Sequence, residues 1–135
     1  MPWTLDARFK IPANKAVVAF IEREQPSAHD DIATALTNSA KGLSDAKWYC
    51  PDVHAYAYFV LHVASNRIFG IAFGMNGLAY RVPKQMGEAA IAEGGTPADT
   101  IGDEWFLFEP FQGETNKWCK IAHEYAVECP SKMRS

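Results

Sequence analysis

Cysteine is scarce in this chain, and its count is odd. The three thiols, Cys50, Cys119 and Cys129, are spread over 135 residues at no zinc-like spacing. A disulfide framework is therefore disfavoured, and free thiols in a reducing cytoplasm are expected. Long apolar runs are lacking as well. No segment approaches the roughly 18 apolar residues of a membrane span. Residues 1–14 set Asp6, Arg8 and Lys10 among apolar residues, so they do not read as a signal peptide. A strong excess of one charge is also missing: 13 Lys and Arg stand against 16 Asp and Glu, a formal net charge of −3. The basic residues are scattered, and the densest group, Lys132 to Arg134, reads as a solvated tail. Nucleic-acid binding needs a basic face, so that class of function ranks last. Repeats and low-complexity tracts are absent too, which excludes solenoids and linkers.

What is present is apolar and aromatic. Hydrophobic residues make up 48% of the chain, with four Trp, five Tyr and eight Phe. That composition excludes disorder. The length fits one domain over residues 1–135, able to bury a core without metal or disulfide staples.

The apolar periods divide the chain. Residues 1–14 alternate Trp3, Leu5, Phe9 and Ile11 with polar residues, which predicts a short strand or an extended arm. Residues 14–25 read as a helix, with Asn14 as N-cap and Val17, Phe20 and Ile21 on one face. Pro26 stops it. Ser27 and Asp30 resemble a capping box, and Ile32, Leu36, Ala40 and Leu43 form a second stripe that ends at Gly42.

The middle of the chain changes period. His54 to Val63 is rich in aromatic and β-branched residues, Arg67 to Phe73 reads as a second strand, and Leu78 to Val82 as a third. Turns at Ala64–Asn66 and Gly74–Gly77, the latter with Asn76-Gly77, fold these into an antiparallel meander. A short helix over 84–93 follows, then a loop from Thr96 to Gly102. Glu104 to Phe108 is a fourth strand. A last helix runs from about Glu114 to Glu128, ended by Pro130, with 131–135 as a tail. The expected class is α+β: an antiparallel sheet, a three-strand meander plus one further strand, packed against helices from both ends of the chain.

Several features from Tyr56 to Val127 carry a resemblance. One is the strand ending Leu78-Ala-Tyr-Arg81-Val82-Pro83, followed by the 84–93 helix. Then come Gly102, the aromatic pair Trp105-Phe106, and a helix with Trp118, Ala122 and Ala126. In these the chain resembles the TfoX N-terminal domain family and its YjbR-like relatives. It departs from them where the family often carries a Met-Phe-Gly-Gly segment; here that region reads Lys47-Trp-Tyr-Cys-Pro51. The resemblance implies a small α+β unit and, from its named member, a regulatory role. Fold alone does not carry function.

Candidates for chemistry are few. Cys119 and His123 lie four apart on one helix and so share a face, where an imidazole can activate a thiol. The alternative is a small core residue beside a solvent-facing histidine. Cys50, His54, His62, Cys119, His123 and Cys129 are the soft or imidazole donors. His54 and His62, eight residues apart on one strand, are too distant to share a metal, so no metal or other cofactor is expected. Asp30-Asp31 suits a helix first turn, and Asp103-Glu104 reads as a solvated loop end. The glycines follow a helix or occupy turns and do not reproduce a phosphate loop.

Arg81 stands among Leu78, Ala79, Tyr80 and Val82, and alternation sets it with Ala79. It either binds an anion or carboxylate partner or pairs with a neighbouring acidic residue. Tyr56 and Tyr58, with Trp105 and Trp118, are further candidates for an interaction surface. The leading expectation is a non-enzymatic protein-interaction or regulatory domain, binding a protein partner or a second copy. The alternative is a small-molecule binding domain or weak thiol-dependent enzyme, with a pocket between the sheet and the last helix.

Overall fold

A computed structural model describes residues 11, 14–24, 30–43, 45–49, 57–63, 65–74, 77–108 and 115–133. The chain opens with two helices, α1 (Lys15–Glu24) and α2 (Asp30–Ala40). Four strands follow: β1 (Ala46–Tyr49), β2 (Ala57–His62), β3 (Arg67–Phe73) and β4 (Gly77–Arg81). A 3-10 turn (Lys84–Met86) leads into α3 (Gly87–Ala92), then β5 (Thr96–Pro97), β6 (Trp105–Phe108) and α4 (Thr115–Met133). The class is α+β, as the periods imply. The N-terminal arm over residues 1–10, the Ser27 cap, and Cys50, His54, Tyr56 and Asn76 fall outside the described residues.

The sheet is larger than the meander plus one strand. Six strands run antiparallel in the order β1-β2-β3-β4-β6-β5. β1 pairs Ala46 with His62 and Tyr49 with Phe59. Ala46-Lys-Trp-Tyr49 is broken by Lys47 and lacks the continuous apolar run that marks Trp105–Phe108, so the sequence alone does not announce β1. β5 lies in the stretch read as loop. It pairs Thr96 with Leu107 and Pro97 with Phe106. Proline has no N–H to donate, and an edge position tolerates that loss. The last helix also differs from its expected end, continuing past Pro130 to Met133. Proline removes its own N–H from the helical ladder, but later residues can still donate to theirs.

Both faces of the sheet are covered. On one face Val17, Val18, Phe20 and Ile21 of α1 pack on Phe59, Leu61, Ile68, Ile71, Ala79 and Trp105. On the other, Ile32 and Leu36 of α2 and Trp118, Cys119 and Ala122 of α4 pack on Val60, Phe69, Tyr80 and Phe108. Antiparallel sheets commonly keep one wet face and alternate apolar with polar. With neither face wet, β3 is buried from Arg67 through Ala72.

Local chemistry sets the boundaries. Gly42 closes α2 with φ +91°, a conformation a side chain rarely adopts. At the start of β4, a Cβ on Gly77 would collide with the Phe73 carbonyl oxygen, so that position requires glycine. Asn14, read as a helix cap, reaches the sheet with its side chain. Its side-chain carbonyl accepts the Ile68 N–H at 2.9 Å, and its amide donates to the Asn66 carbonyl at 2.7 Å. A fully buried amide thus ties the start of α1 to the β2–β3 turn.

A bulge completes the layout. Val60 stands opposite Gly70 and Leu61 opposite Ile68, so Phe69 is an extra residue on β3. Beyond it, at the turn end of the hairpin, His62 faces Arg67 across the register.

Candidate functional site

The polar side chains gather where the end of β4, the start of β3 and the second half of α4 meet. Arg67, Ile68, Phe69, Arg81, Ala122, Tyr125 and Ala126 line a shallow depression of about 180 Å³, counting the space open to solvent. No part of it holds a water-sized sphere.

Register builds its acidic corner. Arg81 pairs with Trp105, and the Val82 N–H donates to the Glu104 carbonyl at 2.9 Å. Glu104 therefore stands one residue beyond Arg81 on the neighbouring strand. Arg81 Nε and Nη2 both donate to Glu104 Oε1, at 3.1 and 2.8 Å. The Tyr125 hydroxyl donates to the other oxygen, Oε2. The guanidinium also lies 5.6 Å from the Tyr125 ring centroid, within cation–π range. The two charged side chains are only 15% and 22% exposed, so solvent screens them less than a surface pair. Alternation starts Arg81 out with Ala79, which packs in the α1 cluster. At the strand end its long side chain nonetheless reaches α4.

The second corner holds two histidines. His62 of β2 and His123 of α4 meet edge to face with ring centroids 5.7 Å apart. His123 also packs edge-on against Phe69, 5.3 Å away. His62 Nδ1 lies 2.8 Å from Ser65 Oγ, which also accepts the Arg67 N–H at 3.3 Å. The arrangement that uses the serine fully has its hydroxyl donating to Nδ1, which leaves the ring proton on Nε2. His62 and Arg67 are each 6% exposed. Burial, and then the neighbouring His123, hold His62 below its ordinary value of 6.5, against the opposing pull of Asp45.

The core beneath is polar at one point. The Tyr80 hydroxyl is buried close to Ser39 and the Cys119 thiol, yet neither meets it in good hydrogen-bond geometry. Burial raises the tyrosine well above its ordinary value. The same burial pushes the Cys119 thiol up to about 12. Cys119 therefore stays a thiol at neutral pH, and its role here is packing. At the other end of α4, Glu93 accepts from Lys117 Nζ at 2.6 Å and Trp118 Nε1 at 3.1 Å. The Lys117 hydrogen bond leads in holding the Glu93 carboxyl below its usual range.

The structure brings together only some of the residues the sequence singled out. Arg81 lines the depression, and His123 stands half-buried beside it. Cys119 and Trp118 are fully buried under α4, and Tyr58 is half-buried against the same cluster. Trp105 is 3% exposed in the α1 cluster, across the sheet from Trp118. Glu104 is no solvated loop end but the shared acceptor of Arg81 and Tyr125. Sequence reading did not connect Arg67, Glu104 and Tyr125 to this site. The one available signal was a strand arginine in need of an acidic partner; register, which names that partner, is tertiary.

Among the described residues, no three His, Cys, Asp or Glu side chains group to hold a metal ion. No described helix is long and apolar enough to cross a membrane. Comparison with known proteins finds no matching family model, no matching curated protein and no matching solved structure.

Proposed function

We propose that this chain is a non-enzymatic protein-interaction or regulatory domain, with its contact surface at the seam between α4 and the ends of β3 and β4. The observation that carries this reading is the depression lined by Arg67, Arg81 and Tyr125. Arginine and tyrosine are enriched among the residues that dominate binding energy at protein interfaces. The depression is also too small for a typical ligand site, which encloses roughly 300–1,000 Å³. A protein partner or a second copy would lie across Arg81 and Tyr125 rather than insert a side chain. The TfoX-like features of residues 56–127 support a regulatory role, and the unpaired cysteine count supports a cytoplasmic setting. The alternative, a small-molecule or thiol-dependent site at the same seam, has less support, because Cys119 is buried and held protonated.

Arg81→Lys tests the reading. Lysine keeps the charge but loses the planar fork. The variant should keep its melting temperature within a few degrees and lose self-association or partner recovery. Equal association by variant and parent would defeat the proposal. A tight ligand found by thermal shift, at a seam that binds no protein, would favour the alternative.

A further inference from the structure

The two histidines join elements that are far apart in sequence, and the charged groups around them are of both signs. On β3, Arg67 stands opposite His62 and is 6% exposed. On α4, His123 touches the His62 ring, with Lys120 and Glu124 exposed on either side of it along the helix. Before β1, Asp45 is the acidic neighbour acting on His62. Lys47 of β1 pairs with Leu61, so alternation sets it on the other sheet face. Glu104, the acid nearest the depression, already accepts from Arg81 and Tyr125.

We propose that His62, seated against His123, is a pH-sensitive latch, holding the second half of α4 on the sheet while its ring is neutral and releasing it when that ring charges. Neutral rings pack edge to face at 5.7 Å, with His62 only 6% exposed. Charging the His62 ring is opposed by its burial and by the His123 ring packed against it. Protonation also reverses the Ser65 contact. Nδ1 then donates, and the serine hydroxyl must find another acceptor. The released form returns the His62 ring to water, where burial no longer opposes its charging.

The sign follows from linkage. The docked state holds His62 below 6.5, so it binds fewer protons than the released state. The latch is therefore fully closed above that ordinary value. It weakens as pH falls from there through the lower value of the docked state. This inference does not depend on the identity, or the existence, of a partner.

Amide hydrogen exchange on the full chain, expressed as protection factors at pH 7.5 and pH 5.0, tests it. Amides of residues 120–126 should lose protection severalfold relative to those of Leu78–Tyr80. His123→Gln should flatten that pH dependence. A residue that only packs would instead lower protection equally at both pH values. Unchanged protection, or an equal fall in α4 and β4, overturns the latch. If the variant does not fold, titration of the His62 ring by NMR in the unaltered chain decides. A value at or above 6.5 overturns the proposal.

Discussion

The two faces of the sheet are built differently. The α1 face is dry and apolar, with Val17, Ile21, Phe59 and Ile71 fully buried. Among the described residues its buried polar anchor is Asn14, with both ends of the amide satisfied. The α2/α4 face is equally buried, but it holds a tyrosine hydroxyl, a thiol, two histidines and Arg67 within or beside its core. The first face gains from burial at little electrostatic cost. The second trades part of that gain for groups whose energy depends on pH and on exact placement. Stability that does not vary thus lies on one side of the sheet, and adjustable stability on the other.

Substitutions should separate the faces. Ile71→Ala on the α1 face should cost the most, about 3 kcal/mol, since it removes a fully buried side chain and leaves a cavity. Urea unfolding at pH 7.5 and pH 5.5 should give the same loss at both. Asn14→Ala comes next, at about 2 kcal/mol, because the Ile68 N–H and the Asn66 carbonyl are left without that amide. Exchange at the Ile68 amide should speed up first. Glu104→Gln should cost less, about 1–2 kcal/mol, as the partly buried pair with Arg81 loses its charge. Most of that loss should appear as faster exchange in α4. Tyr80→Phe should have the smallest effect, within about 1 kcal/mol and in the stabilising direction, because its buried hydroxyl lacks a well-placed partner. A Glu104→Gln loss larger than that of Ile71→Ala would break the comparison. A Tyr80→Phe loss above about 2 kcal/mol would show that the hydroxyl is well satisfied after all.

Much of the fold was legible because periods are local. The stripes Val17–Ile21 and Ile32–Leu36, the β-rich run ending at Val63, and the glycine at 42 each announce one element. β1 and β5 were not legible. Neither Ala46–Tyr49 nor Thr96–Pro97 is a continuous apolar run, and each is a strand because a neighbouring strand offers its free edge. The candidate site was less legible than the fold. Arg81 was noticed as a strand arginine, but Glu104 is 23 positions away and becomes its partner only through the β4–β6 register. Cys119 and His123 looked like a pair on one helix face. Packing separates them, sending the thiol into the core and the imidazole to His62.

Composition and period by themselves determined an α+β chain with two opening helices, a central meander and a closing helix, because those patterns follow from the geometry of single elements. Only the tertiary structure decided that both sheet faces are covered and that Asn14 ties α1 to β3. It alone decided that Arg81, Glu104 and Tyr125 share one corner while His62 meets His123 at another. Those contacts join residues 21 to 61 positions apart, with the Asn14 tie at 52 and 54. Nothing in a local window encodes them; they follow from strand register, one bulge, and the choice of which face each helix covers.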